Sequence, residues 1–131
     1  MNERQHKWLE RAQKDMQTAS HLFYDHHPRQ LEILCYLCQQ AVEKALKACL
    51  VLYDGEFPLI HECRKLCELC ARHDTMFEVN LIDCARLTPY ATQARYPENE
   101  EITEEEALVA VQAAQRVVDF CATKIMQNEG N

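Results

Sequence analysis

The chain has 131 residues, of which 47% are hydrophobic and 27% charged, a balance that is typical of one folded domain and excludes a disordered tail. Only 2 glycines and 4 prolines are present, which disfavours an all-β fold, because such a fold needs a turn at every hairpin. The formal net charge of −7 excludes a general basic coat for nucleic acid but leaves room for a local basic pocket.

Two long helices are predicted at the start of the chain, from about Glu3 to Tyr24 and from about Arg29 to Tyr53. Asp15 lies on the apolar face of the first helix, where a carboxylate is costly unless a basic residue pairs with it. The second helix has so wide an apolar stripe that it should be central in the fold. Asp54 and Gly55 end it.

A short third helix is predicted from about His61 to His73, with its inward face formed by Cys63, Leu66, Cys67 and Cys70. The fourth is predicted from about Phe77 to Tyr96. Pro89 lies inside it, so the helix must bend there or restart with Thr88 as its cap. The expected face of this helix consists of Leu81, Cys84, Ala85, Thr88, Ala91, Thr92 and Arg95.

The fifth helix has the clearest start, because Thr103 and Glu106 have the spacing of a capping box. The helix should end near Met126, and its apolar face is formed by Ala107, Val111, Ala114, Val118, Cys121 and Ile125. Five helices with short links predict an all-α fold, an antiparallel up-and-down bundle in a single domain that spans residues 1–131.

The location of the protein is predicted from what the chain lacks. No apolar run reaches the roughly 18 residues of a membrane helix, and residues 1–6 contain no hydrophobic signal segment. We therefore expect a cytoplasmic protein that does not associate with a membrane.

Eight cysteines raise the question of metal binding. Cys35 with Cys38, and Cys67 with Cys70, have the CxxC spacing of zinc ribbons. His61 and Cys63 could add ligands to the second of these pairs. These cysteines also fit helical apolar stripes, where a free thiol packs as a small hydrophobic group. We therefore expect reduced thiols in the core, no metal and no cofactor.

Five features follow one another along the chain: a tryptophan, alanine, aspartate and alanine pattern from Trp8 to Ala19, the run CQQAVEKALKA at residues 38–48, His61 after Pro58, the turn Arg95-Tyr96-Pro97, and the Thr103 capping box. Together they resemble the HEPN domain family over nearly the whole chain. The resemblance implies a helical homodimer that associates with a minimal nucleotidyltransferase, commonly as a toxin–antitoxin pair. Binding of a nucleotide or RNA would accompany this association.

Some HEPN proteins are metal-independent RNases that use an arginine followed four to six residues later by a histidine. This chain departs from that pattern, because Arg64 and His73 are too far apart and Arg72 and His73 are adjacent. RNase activity is therefore not carried over, and a binding module is the leading hypothesis. The alternatives are an RNase toxin with a divergent site built from Arg95, Tyr96 and His61, and a scaffold with no small-molecule site.

Arg95 and Tyr96 are the first candidates for ligand contact, because a guanidinium suits phosphate and a tyrosine ring can stack. The structural alternative is that they cap and pack their own turn. Asp15 is expected to pair with Arg95 or another basic residue across the bundle. If Asp15 orients Arg95, Asp15→Asn should weaken ligand binding more than it lowers stability.

His61 could act as an acid or base or bind phosphate, but a capping or packing role at the start of the third helix is favoured. Lys44 is a ligand-binding candidate that could equally belong to a solvated face. Glu43 and Lys47 have the spacing of an ordinary helix pair. Two glutamines interrupt the stripe of the second helix and could form hydrogen bonds at a dimer seam: Gln39 and Gln40.

Overall fold

The computed structural model describes residues 3–92, 98 and 100–129. Within these residues the chain forms five α-helices, two 3-10 helices and no β-strand, so the predicted all-α fold is confirmed. The α-helices are α1 (Glu3–Tyr24), α2 (Leu31–Asp54), α3 (Cys63–Ala71), α4 (Leu81–Leu87) and α5 (Glu104–Glu129). The 3-10 helices Thr75–Asn80 and Thr88–Tyr90 flank α4. None of the helices in this part of the chain is long and apolar enough to cross a membrane.

Helix α2 lies at the centre of the bundle, as its wide apolar stripe predicts, and packs against α1, α3, α4 and α5. From Cys38 to Val51 every residue except Gln40 and Lys44 is buried. The helix ends at Gly55, whose φ of 79° is the left-handed conformation that glycine tolerates best.

The ends of the long helices show how they run relative to one another. Gln5 near the start of α1 contacts Glu129 at the end of α5, and Arg29, just past the end of α1, pairs with Glu104 at the start of α5. Helix α1 is therefore antiparallel to α5. It is also antiparallel to α2, because Arg4 donates a hydrogen bond to the carbonyl of Gly55.

Helix α3 runs alongside α2 in the same sense. The Cys63 thiol lies 3.6 Å from the Gln39 carbonyl, and one α3 length later the Cys70 thiol lies 3.7 Å from the Leu46 carbonyl. This is possible because residues 55–62 return along α2 before α3 begins. That return brings the loop side chains next to the middle of α2, where the candidate site lies.

Helix α5 begins as predicted. The Thr103 hydroxyl accepts a hydrogen bond of 3.1 Å from the Glu106 backbone N–H, which satisfies one of the free donors of the first turn. All six residues of its predicted apolar face are buried: Ala107, Val111, Ala114, Val118, Cys121 and Ile125.

The prediction of one fourth helix from Phe77 to Tyr96 was wrong. Asp74 accepts a hydrogen bond from the Met76 N–H and starts a 3-10 turn in place of an α-helix. After α4 the chain restarts, as expected, with Pro89 in the first turn, but as the single 3-10 turn Thr88–Tyr90, whose N-cap is Leu87 and not Thr88.

The expected face of this region was wrong at four positions, although Cys84 is buried as predicted. Ala85, Thr88, Ala91 and Thr92 are exposed, whereas the buried residues are Phe77, Asn80, Asp83, Cys84, Leu87 and Tyr90. The two 3-10 turns change the angular step per residue, so the buried side does not follow one α-helical stripe. The predicted ligand residues Arg95 and Tyr96 lie outside the described residues.

All eight cysteines are free and buried. The four inward residues predicted for α3 are among the buried set. Burial raises the pKa of the Cys38, Cys63 and Cys70 thiols, because a thiolate is poorly solvated there. In the part of the chain that the structure describes, no group of three or more His, Cys, Asp or Glu residues is arranged to hold a metal ion. The thiols therefore act as core residues.

Candidate functional site

Asp15 and Lys44 form an ion pair between α1 and α2. The Lys44 ammonium donates a hydrogen bond of 2.6 Å to the Asp15 carboxylate, and the side chains of Lys44 and Asp15 are 24% and 21% exposed, respectively. The carboxylate predicted to need a basic partner across the bundle thus has one in Lys44. Two of the predicted ligand residues are brought together by this contact.

An open groove of about 470 Å³ lies beside this pair. Four basic and two acidic side chains line it: Lys7, Glu10, Arg11, Lys14, Asp15 and Lys44. Lys14 pairs with Glu10 at 3.5 Å, whereas Lys7 and Arg11 make no ion pair with any described residue. A chain with a net charge of −7 therefore concentrates uncompensated positive charge in this groove, which we call the α1/α2 groove.

A second, smaller recess of about 280 Å³ adjoins the α1/α2 groove. It shares Lys7, Arg11 and Lys44 with the groove and adds one aromatic side chain, Trp8. Trp8 is half-buried and lies edge-on to Phe57, with ring centroids 4.9 Å apart. The recess thus combines cations with an aromatic wall.

A buried polar network lies along the same helix, one residue from Lys44. The Glu43 carboxylate, 7% exposed, accepts hydrogen bonds from Lys47 at 2.9 Å and from Gln39 at 3.3 Å, and lies 3.1 Å from the His61 Nδ1 atom. The predicted pair between Glu43 and Lys47 is confirmed, but it is buried rather than solvated. Three donors compensate the cost of removing this carboxylate from water.

Two aromatic rings complete the surroundings of the Lys47 ammonium. Its nitrogen lies 5.1 Å from the centroid of Phe57 and 5.9 Å from that of Trp8, close enough for cation–π attraction. Trp8 therefore connects the buried network with the basic recess outside it.

Gln39 and Gln40 belong to the same network. The Gln39 amide donates to the His61 carbonyl at 2.9 Å, and Gln40 donates to the Gln39 side-chain oxygen at 2.8 Å. These contacts tie the returning loop to α2. Their place at a dimer seam stays a prediction.

His61 does not cap α3, so that expectation was wrong. It lies two residues before the helix, where Glu62 occupies the N-cap position. The imidazole is 74% exposed, and Glu43 holds its Nδ1 side, while Nε2 makes no hydrogen bond with any residue that the structure describes. A buried carboxylate that fixes one ring nitrogen leaves the other available for proton transfer. The acid–base role of His61 stays a prediction.

The structure adds three residues that the sequence analysis did not select for a site: Lys7, Trp8 and Arg11. A signal for the two cations was present, because Lys7, Arg11 and Lys14 follow one another at spacings of four and three, which places them on one face of α1. Nothing local indicates that Lys44 faces them from α2.

The fold of the whole chain is found in solved structures. TT1696 from Thermus thermophilus is 26% identical, with a TM-score of 0.75 over 95% of this chain and 99% of that chain. ST0689, an archaeal HEPN homologue, is 22% identical, with a TM-score of 0.67 over 92% of this chain and 97% of that chain. At the latter identity the likeness shows the fold alone.

No curated protein matches the chain. The family model that matches it is that of the HEPN domain, which covers residues 5–125. This match spans the groove on α1 and α2, the buried network and the greater part of α5. The chain belongs to the HEPN domain family.

Proposed function

We propose that this protein is a HEPN-type binding module whose α1/α2 groove binds the phosphate of a nucleotide or RNA. The observation that carries the proposal is the charge of the groove, where Lys7 and Arg11 lack acidic partners among the described residues of an acidic chain. Cations in such a groove attract a polyanion and release its counterions when it binds.

Two cations of the groove, Arg11 and Lys44, have distinct parts in this binding. The planar guanidinium of Arg11 can donate two parallel hydrogen bonds to phosphate oxygens, and the Lys44 ammonium supplies a compact charge. Asp15 holds Lys44 at the edge of the groove through its 2.6 Å contact. Arg95 and Tyr96 stay in the proposal on their sequence alone, as a second phosphate-binding and stacking pair.

The proposal extends to partners through membership of the HEPN family. The protein forms a homodimer and engages a minimal nucleotidyltransferase in a toxin–antitoxin-like pair. Light scattering of the purified protein tests the dimer. Co-purification with a nucleotidyltransferase encoded beside it tests the partner, and a monomer that binds no such protein contradicts this part.

RNA binding tests the groove directly. Anisotropy of a labelled single-stranded RNA should show at least about a tenfold loss of affinity in the double variant Arg11→Gln/Lys44→Gln, because two phosphate contacts are removed. The control Arg64→Gln/Lys65→Gln removes the same charge from the exposed surface of α3. Equal losses in the two variants would show that net charge matters and the groove does not.

A second candidate function is RNA cleavage, which the contact between His61 and Glu43 favours. The His61 Nε2 atom could take the proton from a 2′-hydroxyl whose oxygen attacks the adjacent phosphorus, while the buried carboxylate of Glu43 stabilises the imidazolium. The bond from phosphorus to the 5′-oxygen then breaks, the imidazolium returns the proton to that oxygen, and a 2′,3′-cyclic phosphate remains. Cleavage measured with a chelator present, and lost in both His61→Ala and Arg95→Ala, would identify an RNase. A folded protein that binds RNA without cleaving it would favour the binding module over the RNase.

A further inference from the structure

We propose that the Trp8 indole is a stacking platform for a nucleobase, so that the α1/α2 groove takes nucleoside phosphates or single-stranded RNA in preference to phosphate alone. This inference rests on the proposed function, because it assumes that a phosphate binds among the cations of the groove. It adds the part of the ligand that the cations do not recognise.

The first support is the continuity of the two spaces. The groove of about 470 Å³ and the recess of about 280 Å³ share three lining residues: Lys7, Arg11 and Lys44. Trp8 lines the recess but not the groove. A ligand with its phosphate at the shared cations would therefore have its next group against the indole. In a nucleotide that group is the sugar with its base.

The second support is the way the indole is held. Phe57 packs edge-on against it with an interplanar angle of 85°, and the ammonium of Lys47, itself fixed by Glu43, lies 5.9 Å from its centroid. The orientation of the ring is set before a ligand arrives, so little rotamer entropy is lost when a base stacks on it.

The third support is that none of the three cations lining the recess lies over the indole ring. Among the described residues, only Lys47 lies within cation–π distance of Trp8, although Lys7, Arg11 and Lys44 line the same recess. Here an aromatic surface lies beside Lys7 and Arg11, two cations that make no ion pair with any described residue, which matches the two halves of a nucleotide.

The class of ligand follows from the chemistry of stacking. Every base has a π-face, so a single ring selects for an unpaired base and not for a particular sequence. A duplex keeps its bases stacked on each other and so presents no free base face to the ring. The site thus fits a mononucleotide or a single strand, with no base preference.

Trp8 is the single tryptophan of the chain, so its fluorescence reports on this site directly. The unmodified protein is titrated with AMP and, in parallel, with ribose 5-phosphate, which carries the phosphate and sugar without the base. We expect saturable quenching by AMP, and binding of ribose 5-phosphate at least about tenfold weaker and without quenching, measured by calorimetry. A short oligoadenylate distinguishes single-stranded RNA from a mononucleotide as the ligand. If it binds more tightly than AMP, the ligand is RNA; if the two affinities are equal, the ligand is a mononucleotide.

Variants separate this inference from the proposed function. Trp8→Phe keeps an aromatic ring and should lose only a few-fold in AMP affinity, whereas Trp8→Leu should lose about tenfold or more. Equal affinity of the wild-type protein for AMP and ribose 5-phosphate would overturn the role of Trp8 and leave the phosphate groove standing. No binding of AMP, ribose 5-phosphate or oligoadenylate would overturn both. The wild-type comparison decides even if Trp8→Leu fails to fold.

Discussion

Asp83 on α4 accepts two hydrogen bonds of 2.9 Å from the guanidinium of Arg116 on α5. Arg86, three residues along α4, adds a third contact of 2.9 Å to the same carboxylate. Asp83 is 8% exposed, so the two-pronged contact lies at the edge of the core and ties a short helix to the longest one.

This contact predicts a loss of stability in acid. The hydrogen bond from Arg116 lowers the pKa of Asp83 from its ordinary value of 3.8, and the hydrogen bond from Lys124 lowers the pKa of Asp74 likewise. A carboxyl whose pKa is lower in the folded than in the unfolded state stabilises the fold above its unfolded pKa. That contribution disappears as the pH falls through the lower, folded value.

The melting temperature, measured between about pH 6 and about pH 2, should therefore fall steeply below pH 3.8. Asp83→Asn should cost about 1–2 kcal/mol at neutral pH and make the acid decline shallower. The control Asp119→Asn, on the exposed side of α5, should keep the wild-type decline. An unchanged acid profile in Asp83→Asn would contradict this account.

Asp15→Asn separates two roles of one carboxylate. The sequence alone suggests that Asp15 orients Arg95, so that its loss would weaken ligand binding. Its partner Lys44, at 2.6 Å, changes the expectation, because removing the carboxylate frees the ammonium for phosphate. We expect RNA binding several-fold tighter and a stability loss below about 1 kcal/mol, since the pair is partly exposed.

Anisotropy and thermal melts check this pair of expectations. Glu10→Gln is the comparison variant, because it removes a carboxylate from the same groove and frees Lys14, but leaves the contact between Asp15 and Lys44 in place. If Asp15→Asn weakens RNA binding and Glu10→Gln does not, the positioning of Lys44 by Asp15 matters more than the removal of the negative charge.

The buried pair of Glu43 and Lys47 should be far more sensitive than a surface pair of the same spacing. Glu43→Gln leaves the Lys47 ammonium buried without a counter-charge, and we expect a loss of about 3–5 kcal/mol. Glu68→Gln breaks the exposed pair with Arg64 on α3 and should cost less than about 0.5 kcal/mol. Urea denaturation measures both, and similar losses would show that the buried network contributes little.

The thiols should be inert in the folded protein. Burial raises the pKa of Cys38, Cys63 and Cys70, and the thiolate is the form that iodoacetamide attacks. We expect no label on the native protein at about pH 8 and eight labels after denaturation, counted by intact-mass spectrometry. Rapid labelling of one native thiol would locate a part of the core that opens.

The Thr103 cap can be compared with a second threonine of the same helix region. Thr103→Ala removes the hydroxyl that accepts from the Glu106 N–H and should cost about 1 kcal/mol of stability. Thr123 lies inside α5 and donates only to the Asp119 carbonyl, so Thr123→Ala should be neutral or slightly stabilising. Equal losses of stability in the two variants would show that the Thr103 cap does not stabilise α5.

The accuracy of the sequence-based predictions follows how local the determining contacts are. The start of α5 was predicted because the Thr103 cap acts within one turn, and the stripe of α2 because burial on many sides needs no knowledge of the neighbours. The region around α4 was not predicted. Its backbone depends on the Asp74 cap and its buried side on packing against α3 and α5, neither of which a helical periodicity contains.

The candidate site was predictable in part for the same reason. Asp15 could be assigned a basic partner, because a carboxylate on an apolar face needs one, but the choice of Lys44 depends on the register between α1 and α2. The contact of Glu43 with His61 requires the loop at residues 55–62 to return along α2, and no local signal specifies that path. Asp83 and Arg116 are 33 residues apart in the sequence, with nothing to connect them.

The net charge of −7 limits how much of a long RNA this protein can hold, because the groove has few cations to offset it. If Lys7, Arg11 and Lys44 are the cations that meet phosphate, each single-strand contact contributes a slope of about −0.7 to the dependence of log affinity on log salt, or about −2 for the three. So shallow a salt dependence is typical of a site that contacts only a few nucleotides. The bound strand would dissociate quickly, and slow dissociation would require further contacts from a second subunit or a partner protein.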